Sequence, residues 1–457
     1  MHAPQSADLG PSLSALVARP RGGRQRANLY TKNEIRFLLN GQARNITRSF
    51  RLRGLLQVDL LERALQWVVD RHDALRTRLI DVGGGEFDRE VVPQRVVLHI
   101  EVLAGSTREE QTAEVDKHMI AEAGRVFTVT SFPFYRFALL RLSEAEHVLV
   151  LNFHHIFFDG KSLPVFLRDL SGAYEAFFRG GQPGLPEPAF QFNDVMLWID
   201  DWLGQGALDT LDGYWKHRVG HLVPAKLPID LTPVREGGVA GEILHRHLGA
   251  ELTRRAREAA KSFGTTYYAL AHCVANILMH SFGNGGEVDV GIMCCMRRHP
   301  RAEEVIGNFG NFVLALTDMA GNPTFREMLG RTRRSSLEAL GHRGIPFMRL
   351  RSLAPAVTTS NGNPFHFYLI EESSLEGQFK LPEVEIEPIL RRTYMPSIMV
   401  IFQIMSHPAD TIIRCMARPE YFSPRRGEEL LNQYERILRL AVDDPERRLN
   451  DFPAFAG

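Results

Sequence analysis

His154 and His155 stand side by side, and a short apolar stretch separates them from Asp159 and Gly160. An imidazole, with a reference pKa near ~6.5, is the side chain best suited to moving protons at neutral pH. Asp159 lies too far along a tight turn to be assumed a partner of either ring, and it could equally fix the loop by pairing with a cation elsewhere. Gly160 would permit a positive φ at that turn. The residues also admit a plainer arrangement, in which one histidine is buried and hydrogen-bonded and the other is solvated. A metal site is disfavoured. The nearest other histidine, His147, sits at the far end of the same apolar run, and no carboxylate stands at ligand spacing on a helix.

The flanking residues predict what holds this pair. Residues 148–153 are apolar apart from Asn152, as in a strand buried on both faces. Leu163, Phe166, Leu167, Leu170, Tyr174, Phe177 and Phe178 then recur at helical spacing. A loop fixed between two such elements is a favoured place for reactive groups. Upstream, Asp59 is the expected cap of a helix carrying Leu61, Ala64, Leu65 and Val68 on one face. Downstream, Thr265 is the expected cap of a helix with Leu270, Cys273, Val274, Ile277 and Leu278 inward. Pro323, Thr324 and Glu327 form a capping-box pattern, and Ser423-Pro424 opens a last amphipathic helix. Alternating helices and strands in two halves indicate α/β lobes.

The expected division is a flexible basic tail at 1–26, a first lobe at 27–180, a linker rich in Pro and Gly at 181–190, and a second lobe at 191–457. At 457 residues, with 44% hydrophobic and 24% charged side chains, the chain reads as a packed enzyme of two lobes. Lysine plus arginine (54) equals aspartate plus glutamate (54), so nothing points to nucleic acid or an anionic membrane. Cys273, Cys294, Cys295 and Cys415 show neither metal spacing nor a disulfide pattern, and no apolar run approaches the ~18 residues of a membrane span. A cytoplasmic monomer is the expectation.

The run His-His-x-x-x-Asp-Gly resembles the signature of the condensation domains of non-ribosomal peptide synthetases, members of the chloramphenicol acetyltransferase-like acyltransferases. Further elements are similar to that family in its own order: Arg71-His72-Asp73-Ala74-Leu75-Arg76-Thr77; Asp194 with Trp198; Tyr214-Trp215; Leu227-Pro228-Ile229-Asp230; Ile306-Gly307-Asn308-Phe309 with Asn311; His342 with Pro346-Phe347; and Asn363-Pro364-Phe365. The resemblance covers residues 28–450. It departs at Thr31, Glu34, Arg36 and Phe37, where the family usually has Ser-x-x-Gln-x-Arg-Leu.

The resemblance implies two acetyltransferase-like lobes in a V, with a tunnel between them leading to the histidines. It implies His155 as the group acting on the attacking nucleophile, and Gly160 as an oxyanion donor. His154 and Asp159 would hold the loop, with Arg297 pairing to Asp159 across the lobes, and Asn311, His342 and Asn363 would line the tunnel. It implies no bound cofactor or metal. The expected reaction is transfer of an acyl group from the phosphopantetheine thioester of a carrier protein to an amine or hydroxyl, by a free-standing enzyme. An acyl-coenzyme A-dependent O- or N-acyltransferase and a non-catalytic docking module of an assembly line are the alternatives.

Overall fold

The structure is a computed structural model. It describes residues 11, 16–18, 24–27, 31–32, 35, 39, 45–103, 107–222, 225–232, 241–354, 366–373, 375, 377–390, 393–394, 398–407 and 409–455. Asn363, Pro364 and Phe365, with Glu34, Arg36 and Phe37, lie outside the described residues.

The first half runs β1 (Arg24–Arg26), β2 (Asn45–Gly54), α1 (Val58–Arg71), β3 (Thr77–Gly83), β4 (Glu86–Val91) and β5 (Leu98–Val102). It continues with α2 (Arg108–Ala123), β6 (Tyr135–Ser143), β7 (Glu146–His154) and α3 (Ser162–Phe178). Next come α4 (Phe192–Trp202), α5 (Leu208–Val219), β8 (Gly241–Glu242), β9 (Leu244–His247), α6 (Gly249–Ser262), α7 (Tyr267–Ser281), β10 (Glu287–Cys295) and β11 (Gly310–Asp318). The last elements are α8 (Phe325–Gly341), α9 (Phe347–Leu353), β12 (Phe367–Ser373), β13 (Val384–Ile389), β14 (Thr393–Tyr394), β15 (Val400–Ser406), β16 (Thr411–Ala417) and α10 (Pro424–Asp443).

Two large sheets organise these elements. One has five strands in the order β13-β2-β7-β6-β5, the other six in the order β11-β10-β12-β15-β16-β9. β7 is the central strand of the first, hydrogen-bonded on both edges and covered on both faces, which is why its residues are almost all apolar. One face packs on α1 and α3 through Leu149, Leu151 and Phe153, and the other meets α2 through Val148 and Val150. In the six-stranded sheet, α7 and α10 bury Val274, Leu278, Leu431 and Tyr434 against β12, β15 and β16.

Several expectations need correcting. Residues 24–26 of the supposed tail form β1, which pairs antiparallel with β4 and sets Arg24 on Asp88 at 2.7 Å. The division at 181–190 does not hold for the sheets either. β13, far into the second half, completes the first sheet by pairing along the outer edge of β2, where Ile386 and Val384 pack on its core. The cap of α1 is Gln57, with Asp59 in the first turn. The cap of α7 is Thr266, whose side chain accepts from the Ala269 N–H at 3.1 Å. Thr324 with Glu327, and Ser423 before Pro424, cap their helices as the pattern predicts.

Candidate active site

β7 ends at His154, and His155 is the first residue of the turn that leads to α3. The strand's alternation separates the two rings. His154 continues the face of Val150 and Asn152 and is fully buried, whereas His155 is half-buried. The His154 ring packs edge-on against Phe127 and beside Phe134, with centroids 5.6 and 6.1 Å away. Its Nδ1 accepts from the Ile156 N–H at 3.1 Å, so that nitrogen carries no proton and the ring closes the turn it sits in. Phe153 and Phe158 stack at 3.8 Å across the same turn, and Phe157 packs on Phe134 and Phe192. A loop so short, pinned at both ends by rings, presents His155 from a rigid base.

Asp159 is 5% exposed and points into the protein. Its Oδ2 takes Arg297 Nη1 at 2.5 Å and its Oδ1 takes Nη2 at 2.9 Å, a bidentate pair. The Phe309 N–H donates to Oδ2 at 2.9 Å and the Ser162 N–H to Oδ1 at 2.9 Å. Arg297 also donates to the Val305 carbonyl at 3.0 Å and to Ser162 Oγ at 2.9 Å, and its guanidinium lies 4.4 Å from the Phe309 ring centre. Ser162 Oγ accepts from the Gly307 N–H at 3.0 Å. Burial alone would push the Asp159 carboxyl up. The Arg297 charge, its hydrogen bonds and the Phe309 amide outweigh that and hold it below the usual carboxylate range. Arg297 is likewise pushed down by burial and raised on balance by Asp159. The pair joins the loop after β7 to the segment after β10, so it ties the two sheets' elements together directly behind the histidines.

Gly160 is exposed, and a Cβ there would meet no atom within 4 Å, so the space beside it is clear. The positive φ that a glycine would permit here is not used. The conformational freedom is used elsewhere, and here glycine only keeps space clear. Gly307 is the glycine that matters sterically near the site, since a Cβ on it would fall 2.1 Å from Phe192 Cδ2.

Asn311 and His342, expected from the resemblance to line the tunnel, are engaged in turn and ring contacts. Asn311 is buried, and its Nδ2 donates to the Arg343 and Ile345 carbonyls at 2.8 and 2.6 Å. His342 ends α8, with its ring stacked 3.4 Å from that of Tyr214 and its carbonyl taking the Trp215 indole N–H at 3.1 Å. Three dispersed motifs therefore form one clasp between α5, β11 and the turn after α8. Arg71 and His72 make a second clasp. Arg71 Nε and His72 Nε2 both reach Asp169 Oδ2 on α3 at 2.9 Å, while Gln191 bonds the Asp73 N–H and the Arg71 carbonyl. Burial lowers the His72 pKa despite Asp169, so His72 is neutral at neutral pH. Reasoning from sequence assigned no role to Ser162, Asp169 or the Phe309 amide. Ser162 and Asp169 share the inward stripe of α3 with Leu163, Phe166 and Leu170, and a polar group on such a stripe is the signal that marks them. No group of His, Cys, Asp or Glu among the described residues could hold a metal ion.

The family model described as the condensation domain matches residues 36–452, so the chain belongs to the condensation-domain family. It is a condensation domain of the kind found in non-ribosomal peptide assembly lines. A linear gramicidin synthase of Brevibacillus parabrevis is 28% identical over 423 residues, which are 90% of this chain and 5% of that protein. The chain thus spans a small fraction of the relatives' length. Among solved structures, the X-domain from teicoplanin biosynthesis matches with a TM-score of 0.83 at 24% identity, covering 96% of this chain and 99% of that one. The first condensation domain of the calcium-dependent antibiotic synthetase gives 0.80 at 17% identity, covering 95% and 100%. The fold is that of the condensation domains, chloramphenicol acetyltransferase-like in kind.

Proposed function

We propose that this condensation domain is catalytically active and transfers an acyl or aminoacyl group from a carrier-protein phosphopantetheine thioester to an amine or hydroxyl. The observation that carries this reading is the complete His154-His155-Asp159-Gly160 loop, locked by Arg297 and Ser162 in a member of the family. A thioester is already activated, so the main task is alignment of the acceptor with the carbonyl carbon. The acceptor nitrogen or oxygen adds to that carbon, and His155 takes the proton the nucleophile gives up. The Gly160 amide donates to the carbonyl oxygen as charge develops on it, a contribution commonly of ~3 kcal/mol. The C–S bond then breaks, and the departing thiolate recovers the proton from His155. Transfer is direct, with no acyl-enzyme.

The test compares one acyl group on a carrier protein and on coenzyme A, with intact-protein mass spectrometry alongside. Both donors offer the same carbonyl, but only the carrier supplies remote binding energy for positioning. The carrier thioester is expected to show a much larger kcat/KM, and no acyl adduct is expected on the chain. Equal efficiency with both donors would select the acyl-coenzyme A reading, and a trapped acyl-enzyme would overturn direct transfer.

A further inference from the structure

The five-stranded sheet ends in two edges of different chemistry. At one, β13 carries Glu385 and Glu387 followed by Pro388. Charge, and a residue without an N–H, are the usual means by which an edge strand is kept from pairing. β5, at the opposite edge, has neither proline nor lysine. It runs Leu98-His99-Ile100-Glu101-Val102 in unbroken parallel register with β6. Ile100 and Val102 are 55% and 70% exposed, and among the described residues no strand lies beyond them.

One bond fixes which backbone groups face outward. The Leu103 N–H donates to the Arg141 carbonyl at the end of β6 at 3.0 Å. Backbone groups alternate sides along a strand, so His99 and Glu101 turn theirs to β6, while Leu98, Ile100 and Val102 turn theirs away from it. The side chains alternate as well. Leu98 enters the core and Ile100 and Val102 follow on its face. His99 and Glu101 occupy the other face, where Glu101 meets His118 of α2 at 3.2 Å.

A strand in this order complements a copy of itself. Antiparallel two-fold pairing centred on Ile100 sets Ile100 on Ile100, Leu98 on Val102 and His99 on Glu101. The outward amides and carbonyls of Leu98, Ile100 and Val102 then bond across the axis. His99 and Glu101 fall at the non-hydrogen-bonded positions, where facing side chains come closest. Moving the centre by one residue either way would set Glu101 on Glu101 or His99 on His99. Charge therefore selects a single register. We propose that β5 is a dimerisation edge, through which two copies of this chain pair antiparallel and join their five-stranded sheets into one continuous sheet, in place of the monomer expected from sequence.

Sedimentation velocity on the full chain from ~1 to ~100 µM tests this, with thermal melts on every variant. The wild type is expected to pass from monomer to dimer across that range. Ile100→Lys leaves every bond to β6 in place and is expected to keep the chain monomeric throughout. His99→Glu sets carboxylate against carboxylate at both symmetric positions and is expected to weaken the dimer about tenfold. Adding Glu101→His reverses the pair and is expected to restore the dimer, a recovery that damage to the fold would not give. A wild type still monomeric at ~100 µM, a dimer that survives Ile100→Lys, or a double variant no tighter than His99→Glu would overturn the proposal.

Discussion

His154 and His155 are neighbours in sequence with opposite physical situations. His154 is locked among rings and bonded to the Ile156 amide, so His154→Ala should remove packing and an acceptor together. The expected loss is about 2–4 kcal/mol of stability, read by denaturant unfolding. His155→Ala should leave the unfolding midpoint nearly unchanged while turnover falls ~10²-fold or more. Wild-type turnover in that variant at saturating substrate would remove His155 from the reaction. Asp159 belongs with His154 in kind. Its replacement by Ala strands the Arg297 guanidinium, itself without solvent exposure, beside the Val305 carbonyl and the Phe309 ring. That should cost about 3–5 kcal/mol, since an uncompensated buried charge is worse than no pair. A loss below ~1 kcal/mol would show that water or another group takes the carboxylate's place.

At the scale of elements, the site depends on how closely backbone segments approach behind it. Gly307 abuts Phe192, the ring that packs on both Phe157 and Phe309. Gly307→Ala should therefore displace Phe192, lower stability by about 1–3 kcal/mol and slow turnover. Phe192→Leu added to it should restore part of both, and a double variant no better than the single would refute the contact as the cause. The sequence made much of this arrangement legible. β7 announces itself by an unbroken apolar run, α3 by its stripe, and the capping boxes by their spacing, because these signals are local. What stayed hidden is long-range. Nothing near Val384 says that it pairs with Gly54, and nothing near Asn311 says that its amide closes the turn at Arg343. The Asp159–Arg297 pair was readable only through family resemblance, since 138 residues separate the partners. At Gly160 the letter alone left open whether the glycine serves a left-handed φ or clear space, and the structure uses it for space.

For the molecule as a whole, acid should weaken the fold through its buried neutral histidines. His272 is fully buried on α7, with Ser336 Oγ at 3.0 Å, and burial lowers its pKa to about 4. The unfolded chain binds that proton near ~6.5, so this contribution to stability is complete above ~6.5 and is lost as pH falls toward 4. The loss is about 3 kcal/mol over that window. His72, also lowered by burial, acts in the same direction. Asp200 and Asp289, raised by burial to about 6, act in the opposite direction, so the test is the difference between wild type and His272→Asn from pH 7.5 to 4.5. The variant should lose less stability toward acid, and parallel profiles would refute the assignment. The strand that crosses between halves has a consequence for synthesis. When β2, β6 and β7 have left the ribosome, the outer edge of β2 has no partner, and β13 emerges roughly 230 residues later. At ribosomal rates of ~5–20 residues per second, that edge waits for tens of seconds. Throughout that interval it offers a row of open backbone donors and acceptors to any other strand within reach. The nascent first half is thus open to mispairing for that interval, and the delay that exposes it is written into the order of the strands.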